Sequence, residues 1–402
     1  MKKINILIIA IALFTNSLYA QWQLTSLPQS SYISCITSTS TRVFAGTWTE
    51  YGLCKSDDNG TTWSPTSLNY PITWLYVNGT DLYAATSGFG LYISSDNGDT
   101  WSLINTGLTN KTVYSIAAIG STLFVVTDFY GAFRSNDGGI SWSAINNGLP
   151  YDTSYNRYYF GSTMVTCGNT LFVGTFNGIY RSTDNGDSWT AVNTGVDMVF
   201  PKIYIMSANE NKIYAGSWGG GVYVSSNNGD SWTAINNGLE ATNKKINALT
   251  VSGTHVFAGT GNNGLYTITT DGTSWKNITS NMPSYLVNSI AVIGTDIFTG
   301  VGGNSNTYLW KRPISEITGV KNISSDNAFS VYPNPVKDKL TIRSSSSANI
   351  LNYEVLSLDG KSILKTGIGE KANIDVSDLQ RGIYMLKVNL KDGIMVSKFI
   401  KE

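Results

Sequence analysis

The sequence predicts an all-β protein, and three observations support this prediction. Glycine (40 of 402 residues) and aromatic residues (12%) are abundant, whereas proline is scarce (9 residues), which is typical of many short strands joined by tight turns. A tryptophan recurs at near-constant spacing through the first three quarters of the chain. The last quarter has no such repeat and instead alternates apolar and polar residues between Asp-Gly turns. Two successive all-β domains are therefore expected.

The charge balance argues against nucleic acid and anionic lipid as partners. Lys+Arg and Asp+Glu number 27 each, and only 13% of residues are charged, against roughly 25% in an average soluble domain. A protein that binds nucleic acid or anionic lipid needs a basic field, which this composition does not supply. Nucleic acid is therefore not an expected partner.

The first 20 residues have the three parts of a secretory signal peptide. Lys2 and Lys3 precede an apolar run over residues 4–14, and a polar stretch ends at Ala20. The run is too short to span a bilayer as a helix. We expect cleavage after Ala20; an uncleaved membrane anchor is the alternative.

A repeated motif, Ser-x-Asp-x-Gly-x-Thr/Ser-Trp, fixes the expected architecture. Its copies contain Ser56, Asp58, Gly60 and Trp63; Ser94, Asp96, Gly98 and Trp101; Ser135, Asp137, Gly139 and Trp142; Ser182, Asp184, Gly186 and Trp189; Ser225, Asn227, Gly229 and Trp232; and, in a shortened form, Asp271 and Trp275. Counted from Trp22, the tryptophans are 41, 38, 41, 47, 43 and 43 residues apart. Such periods indicate four-stranded blades of a β-propeller. The motif resembles the Asp-box (bacterial neuraminidase, BNR) repeat.

Each repeat has the same internal order of four strands, A to D. In one repeat they are expected at residues 113–119, 122–127, 131–134 and 142–145, with the Asp box between C and D. The Asp oxygens are expected to accept turn N–H groups, the glycine to supply a positive φ, and the tryptophan to be buried between blades. A structural role is expected rather than a calcium site, because the box lacks the later glutamate of a calcium loop.

The last repeat predicts how the ring closes. Strands A, B and C are expected at 288–293, 296–300 and 307–311, but no fourth strand follows. Residues 22–25 align with 142–145, so the N-terminal strand is expected to complete the last blade and cover two free sheet edges. The fold class predicted for residues 21–317 is a seven-bladed propeller closed by the N-terminal strand, and a monomer is expected.

The cysteines and the single histidine predict no special chemistry. Cys35 and Cys54 are expected on strands A and C of one blade, roughly 9 to 10 Å apart, which exceeds the disulfide reach of about 7 Å. With Cys167 they are expected to be buried, unpaired thiols. His255 is the only histidine, so neither a metal site nor a cofactor is expected.

The C-terminal segment has a different pattern. After a polar linker at 318–328, residues 329–402 are expected to form a small Ig-like β-sandwich. Its motifs resemble the type A C-terminal sorting domain of the Bacteroidetes type IX secretion system, on Pro333, Asn334, Pro335, Gly382, Tyr384, Lys398 and Lys401. The resemblance implies two partners, the outer-membrane translocon and a sortase-like peptidase, and a cargo released outside the cell or attached to its surface. An Ig-like binding domain that stays attached is the alternative.

The loops opposite the Asp boxes are the candidate ligand site. We call the end of the ring that carries the C-to-D turns the box face, and the end that carries the B-to-C and D-to-A loops the rim face. Rim residues selected as ligand-binding candidates are Trp48, Tyr51, Phe89, Phe129, Tyr130, Arg157, Tyr159, Phe176 and Trp218. Such rings can stack on sugars or anchor a protein partner; the alternative is that they pack on one another.

The sequence is compatible with two functions. The leading hypothesis is a non-catalytic extracellular binding or scaffold protein for a glycan or protein ligand. The alternative is a glycoside hydrolase that uses two rim carboxylates, Glu50 and Asp128, chosen from a set that also includes Asp152, Asp197 and Glu240. The Asp-box resemblance also suggests a sialidase, a family that holds the substrate carboxylate with three arginines. A sialidase is not expected here, because only Arg157 falls on the rim. The other arginines considered fall on the box face or the blade periphery: Arg42, Arg134, Arg181 and Arg312.

Overall fold

The computed structural model describes residues 22–27, 32–48, 51–209, 211–239, 244–279, 282, 286–303, 306–318, 329–344, 350–356, 362–367, 373–390 and 393–402. The chain divides into two compact units, Met1–Arg312 and Pro313–Glu402. The expected signal peptide lies outside the described residues, and so does the expected linker except for its first residue. In the part of the chain that is described, no helix is long and apolar enough to span a membrane.

The first unit is built of short antiparallel strands. They are β1 (Gln23–Leu24), β2 (Ile33–Ser38), β3 (Val43–Thr47), β4 (Leu53–Ser56), β5 (Ser64–Pro65), β6 (Ile72–Asn78), β7 (Asp81–Thr86), β8 (Leu91–Ser94), β9 (Ser102–Leu103), β10 (Val113–Ile119), β11 (Thr122–Thr127), β12 (Gly131–Ser135), β13 (Ser143–Ala144), β14 (Tyr151–Asp152), β15 (Arg157–Tyr158), β16 (Gly161–Cys167), β17 (Thr170–Thr175), β18 (Gly178–Ser182), β19 (Thr190–Ala191), β20 (Ile203–Ala208), β21 (Ile213–Ser217), β22 (Val222–Ser225), β23 (Thr233–Ala234), β24 (Ile246–Ser252), β25 (His255–Thr260), β26 (Leu265–Thr269), β27 (Lys276–Asn277), β28 (Val287–Ile293), β29 (Asp296–Gly303) and β30 (Asn306–Pro313).

Within the described residues these strands form seven four-stranded sheets and one separate hairpin, β14–β15. Six sheets follow chain order: β2 to β5, β6 to β9, β10 to β13, β16 to β19, β20 to β23 and β24 to β27. The innermost strands contact one another in the order β2, β6, β10, β16, β20, β24 and β28, and β28 contacts β2 again. The sheets therefore form a closed ring, as in a β-propeller.

The seventh sheet combines the two ends of the first unit. Strand β1 pairs with β30, with Gln23 opposite Lys311 and Leu24 opposite Trp310. The prediction that the N-terminal strand completes the last sheet is confirmed. The fourth strands are shorter than expected, only two residues each, because the box tryptophan and the residue three positions after it lie outside the pairing.

The second strand of each sheet supplies the core between sheets. Phe44, Phe124, Phe172, Phe257 and Phe298 occupy the same position in five of these strands, and each is fully buried. Burying a phenylalanine side chain stabilises a fold by about 1.5–3 kcal/mol. The repeated aromatic position therefore explains why each sheet packs tightly against the next.

The Asp box is a hydrogen-bonded turn. Ser56 donates to Asp58 (Oγ to Oδ1, 2.8 Å) and accepts the N–H of Gly60 at 2.8 Å, while Asp58 Oδ1 accepts the N–H of Thr62 at 2.8 Å. Gly60 has φ +78°, and a Cβ there would lie 2.5 Å from Phe298 of the preceding sheet. Glycine therefore serves both the turn and the contact between sheets.

The sixth box departs from this pattern. It is one residue shorter, and its turn closes through the N–H of Gly272, which donates to the carbonyl oxygen of Thr269 at 2.8 Å. Asp271 is exposed and pairs with Lys212 at 2.9 Å, and no hydrogen bond from its own turn reaches its carboxylate among the described residues. The expected Asp-box role was wrong for Asp271, because the shorter turn moves its side chain outward.

The tryptophans differ in burial. Five of them, Trp22, Trp142, Trp189, Trp232 and Trp275, are buried, and each donates its indole N–H to a carbonyl oxygen of the preceding sheet. Trp63 and Trp101 are only half-buried. Trp63 donates instead to Gly60 of its own box, and the indole nitrogen of Trp101 has no partner in the described part of the chain. Each of these two still packs against a core cluster formed by two neighbouring sheets, so the expected place between blades is confirmed but the burial is only partial.

Cationic side chains on the box face link each of five sheets to the box of the next. The pairs are Arg42 and Lys55 with Asp99, Arg134 with Asp187, Arg181 with Asp230, Lys212 with Asp271, and Lys311 with the carbonyl oxygen of Asn59. The four carboxylates are well exposed, so each ion pair contributes little, about 0–1 kcal/mol. These contacts nevertheless give Arg42, Arg134 and Arg181 a structural role on the box face, at the opposite end of the ring from the rim face.

The cysteines lie where expected, with one difference. Cys35 on β2 and Cys54 on β4 flank β3, and both are free and buried. Burial raises the pKa of Cys35 to about 12 and that of Cys54 to about 11. Cys167 is half-buried rather than buried, because it ends β16 beside the A-to-B turn, and its Sγ lies 3.6 Å from the carbonyl oxygen of Asn209.

The second unit begins with one helical turn, α1 (Ser315–Thr318), and continues with two sheets. Their strands are β31 (Phe329–Tyr332), β32 (Lys339–Ser344), β33 (Ile350–Leu356), β34 (Ser362–Gly367), β35 (Asn373–Asp375), β36 (Gly382–Leu390) and β37 (Gly393–Lys401). Within the described residues the sheet orders are β31-β32-β35 and β34-β33-β36-β37. One core, which includes Val336, Leu340, Leu386 and Phe399, joins them. Its Ig-like character stays a prediction.

Candidate functional site

The innermost strands share an irregularity near the rim face. In each of the seven, the pairing with the second strand shifts by one residue after the first position. The unpaired residues are Ser34, Thr73, Tyr114, Ser162, Tyr204, Asn247 and Asn288. A β-bulge redirects one side chain and is frequent next to functional sites. Here the seven bulges place seven side chains at the centre of the ring.

These seven residues line one cavity, which we call the mouth cavity. Its volume is about 520 Å³, and its other lining residues are Tyr32, Trp48, Trp74, Phe160 and Ile205. This volume lies within the range of about 300–1,000 Å³ typical of ligand sites. Deeper in the ring the cavity meets a second one of about 450 Å³, lined by the innermost strands of all seven sheets. The mouth cavity is therefore the rim-face entrance of a central channel.

The lining of the mouth cavity is aromatic and polar but uncharged. Within the described residues it contains six aromatic rings, Ser, Thr and Asn side chains, and no Asp, Glu, Lys or Arg. Burial raises the pKa of Tyr32 to about 12, and burial together with the nearby Asp128 raises that of Tyr114 to about 12. Both phenols therefore stay protonated at neutral pH and can donate hydrogen bonds.

Some of the bulge residues also connect sheets. The hydroxyl of Ser34 donates to the carbonyl oxygen of Ile72 at 2.6 Å, and Thr73 makes the same bond to Val113. Ile72 and Val113 each begin the innermost strand of the following sheet. Asn247, in contrast, makes no side-chain hydrogen bond to the described residues, so its amide is available to a ligand.

A row of rings extends from the cavity along the rim. Phe129, Phe160, Phe176, Tyr204 and Trp218 follow one another with centroid separations of 5.5, 4.6, 5.6 and 4.8 Å. The alternative that these aromatics pack on one another therefore holds for this row, and ligand binding by them stays a prediction. The rings do pack on one another, yet Phe160 and Tyr204 also face the cavity and Trp218 is 41% exposed.

Three cations lie over this row. The Arg157 guanidinium is 3.9 Å from the centroid of Phe129, Lys245 Nζ is 3.8 Å from that of Trp218, and Lys202 Nζ is 5.2 Å from that of Phe176. Burial lowers the pKa of Lys245. None of the three forms an ion pair with the described residues, unlike the box-face cations that link sheets. This side of the rim thus carries positive charge over aromatic faces.

The rim is not symmetric. In six sheets the residue after the second strand donates its N–H to the carbonyl oxygen of the residue before the first, and in the seventh Gly302, near the end of β29, makes the equivalent bond to Leu286. These positions hold Trp48, Ser87, Asp128, Phe176, Trp218, Gly261 and Gly302. The row of rings therefore lies on the third to fifth sheets.

An asparagine four residues after the box tryptophan supports several of the rim turns. Asn236 accepts the N–H of Val222 and donates to the carbonyl oxygen of Gly220, both at 2.8 Å. Asn105 and Asn146 make the same pair of bonds to the turns that carry Phe89 and Tyr130. The constant spacing from tryptophan was visible in the sequence, but its contact with the B-to-C turn was not anticipated.

The candidate carboxylates have different environments. Asp152 accepts the N–H of Ser154 at 3.0 Å, and Asp197 accepts that of Val199 at 2.9 Å, so both stabilise their own turns. Glu50 and Glu240 lie outside the described residues. Asp128 differs because its Oδ1 is buried without a hydrogen-bond partner in the described part of the chain. Burial raises its pKa, and the nearby Arg157 partly offsets the effect.

The predicted ligand residues are only partly brought together. Of the nine candidates, Trp48 lines the mouth cavity, while Phe129, Phe176 and Trp218 belong to the adjoining row with Arg157 over one end. Phe89 stacks on Tyr70 at 4.2 Å, away from the cavity. Tyr51 and Tyr130 are exposed and Tyr159 is half-buried, and none of them lines the cavity. Sequence reasoning missed Tyr32, Trp74, Tyr114 and Tyr204.

Comparison with known proteins agrees with the two-part description. Residues 330–402 match the secretion system C-terminal sorting domain, and residues 92–103 match the BNR/Asp-box repeat. No curated protein matches the chain. The extracellular domain of a one-component system from B. thetaiotaomicron is similar over 95% of this chain and 59% of its own length, with 16% identity and a TM-score of 0.57.

Two further solved structures are similar. PorZ, a surface component of the type-IX secretion system of Porphyromonas gingivalis, matches over 94% of this chain and 60% of its own, with 15% identity and a TM-score of 0.53. YCF48 from Cyanidioschyzon merolae matches over 73% of this chain and 98% of its own, with 17% identity and a TM-score of 0.56. The chain spans about three fifths of the first two structures. At these identities the likeness concerns the fold alone.

The sorting domain places the protein at the cell surface or outside the cell. Together with the ring of sheets and the repeat, it identifies the chain as an exported Asp-box β-propeller that carries a secretion system C-terminal sorting domain.

Proposed function

We propose that the propeller is a non-catalytic binding module that takes a glycan chain at the mouth cavity. The observation that carries this proposal is the uncharged lining of aromatic rings, hydroxyl groups and amides. Sugar rings have apolar faces that stack on aromatic side chains and hydroxyl groups that exchange hydrogen bonds with Ser, Thr, Tyr and Asn. A protein ligand is the competing possibility for the same surface.

The test is retention of the purified mature protein on a panel of immobilised polysaccharides, with released reducing ends followed in parallel. Tyr204→Ala removes a ring that lines the cavity, and we expect it to weaken retention about tenfold, as for a hot-spot residue. Phe89→Ala is the matched control, because this ring is also on the rim face and exposed but stacks on Tyr70 outside the cavity. If the panel retains nothing, or if both variants weaken retention equally, the proposal fails.

One observation favours a second candidate, a glycoside hydrolase. A carboxyl group whose pKa is raised by burial is the kind of group that serves as the general acid in glycoside hydrolysis. Asp128 is half-buried, its Oδ1 is buried, and burial raises its pKa. Asp152 and Asp197 accept turn N–H groups, which leaves Glu50 and Glu240 as the other sequence candidates. Release of reducing ends by the native protein, abolished in Asp128→Asn, would support the hydrolase and overturn the non-catalytic proposal.

A further inference from the structure

The residues that carry the sorting-domain resemblance converge on one corner of the second unit. Gly382 pairs with Lys401 and Tyr384 with Phe399, where β36 meets β37. The side chain of Asn334 accepts the N–H of Ile400 at 2.9 Å and donates to the carbonyl oxygen of Lys398 at 3.2 Å. Segments more than 60 residues apart in sequence thus form one local structure.

The outward face of this corner is apolar. Ile383 and Ile400 lie directly opposite each other on β36 and β37, and they are 39% and 41% exposed. Pro335 is exposed beside them on the segment that runs along β37, and Lys398 is exposed two residues before Ile400. Further along the same sheet the corresponding face carries an ion pair, Glu354 with Lys387. Exposed faces of antiparallel sheets are ordinarily polar, so a paired isoleucine patch indicates contact with a partner.

The neighbouring residue, Lys401, supports the interpretation that this apolar face contacts a partner. Lys401 alternates with Ile400 and is only 8% exposed, with its ammonium group donating to the carbonyl oxygen of Glu402 at 2.7 Å. Lysine is rarely buried in this way. The last strand therefore places an isoleucine outside and a lysine inside, the reverse of the order that stability alone would select.

The edge of the last strand is already occupied at this corner. The N–H of Val336 donates to the carbonyl oxygen of Ile400 at 2.8 Å, and the N–H of Glu402 donates to that of Val336 at 2.9 Å. A partner cannot add a strand here, because these backbone groups are bonded. A partner must therefore recognise this corner through its side chains.

We propose that the secretion machinery recognises the Ile383–Ile400 pair, flanked by Pro335 and Lys398, through an apolar groove bordered by a carboxylate. The machinery is the occupant because residues 330–402 match a secretion system sorting domain. The proposal is independent of any ligand of the propeller.

The experiment expresses the full chain in a bacterium with an active type IX system and measures the exported and periplasmic fractions. Ile383→Thr and Ile400→Thr remove the apolar groups but keep β-branching, so the strands are retained. We expect each to lower the exported fraction about tenfold, as for a hot-spot contact. Ile363→Thr is the matched control: Ile363 is 44% exposed on β34 at the other edge of the same sheet, and we expect normal export.

Folding is checked on the purified variants by thermal unfolding and protease resistance, and Ile400→Val, which keeps an apolar side chain, should restore export. Normal export of a folded Ile383→Thr, Ile400→Thr double variant would overturn the proposal. Equal loss in Ile363→Thr would also overturn it, because the effect would then follow surface hydrophobicity anywhere on the sheet.

Discussion

Trp22 donates its indole N–H to the carbonyl oxygen of Ile278 at 3.0 Å, although 256 positions separate them in sequence. Trp142 makes the same bond to Ile104 of the preceding sheet, and Trp189 makes it to Ile145. The N-terminal tryptophan thus takes, in the seventh sheet, the place that box tryptophans take elsewhere. The ring is closed by a side chain as well as by strand pairing.

Trp22→Ala should destabilise the propeller by about 3–5 kcal/mol, the usual cost of removing a buried tryptophan from a core. The reason is that Trp22 is only 4% exposed and carries the contact with the sixth sheet. Leu24→Ala on the same strand is the control, because Leu24 is 54% exposed and an exposed truncation costs within about 0.5 kcal/mol. Denaturant unfolding of the mature protein measures both. Similar midpoints for the two variants would contradict side-chain closure.

Acid should weaken the propeller through its boxes. Hydrogen bonds, the largest from the hydroxyls of Thr62, Ser141 and Ser188 respectively, lower the pKa of Asp58, Asp137 and Asp184 from 3.8 to about 2. The folded state therefore holds these protons less tightly than the unfolded state. The stabilisation is complete above the unfolded value of 3.8 and is lost as pH falls towards 2. Melting temperatures measured from pH 5 down to pH 2.5 should follow this course.

The fifth box supplies the control for that experiment. Asn227 stands where the other boxes have Asp and bonds Ser231 with both ends of its amide, so an amide is compatible with the turn. Replacing Asp58, Asp137 and Asp184 by Asn should flatten the acid response, whereas Asn227→Asp should steepen it. An unchanged pH profile in the triple variant would show that the acid sensitivity arises elsewhere.

Asp128→Asn should raise the melting temperature at pH 7, because it replaces a charged carboxylate whose Oδ1 is buried without a partner in the described part of the chain. Burial raises the pKa of Asp128, so the folded state holds this proton more tightly than the unfolded state. The difference between variant and native protein should therefore shrink as pH falls through the folded-state pKa. A lower melting temperature at pH 7 would mean that the carboxylate has a stabilising partner.

Asn236→Ala should cost about 1–3 kcal/mol, because it leaves the N–H of the fully buried Val222 without an acceptor. It should also weaken retention of any ligand bound against Trp218, since Asn236 holds the turn that carries this ring. Asn237→Ala is the neighbouring control: its side chain makes one exposed bond, to Thr273 at 3.0 Å. Equal unfolding midpoints for the two variants would remove Asn236 from the support of the rim.

Much of the fold was predictable because its causes are local and repeated. Tryptophan spacing, box residues and alternating strands recur in each sheet, so each copy reinforces the others, and the expected strands at 113–119 and 122–127 match β10 and β11. The role of the N-terminal strand followed from the missing strand of the last repeat. The sixth box was misjudged, because a deletion of one residue changes where a turn side chain points.

The candidate site was less predictable, since it depends on distances between sheets. Rim aromatics such as Phe89 and Trp218 look equivalent in the sequence, yet one stacks outside the cavity and the other joins the row beside it.

The amino-acid sequence by itself determined that this protein is an exported, repetitive all-β chain with a sorting domain, because period, turn chemistry and terminal motifs are properties of neighbouring residues. Only the tertiary structure decided which side chains meet. The seven bulges that line the mouth cavity, the buried Oδ1 of Asp128 and the Ile383–Ile400 pair arise when distant segments are brought within a few ångströms. Such proximity depends on register and closure of the sheets, which no local pattern specifies.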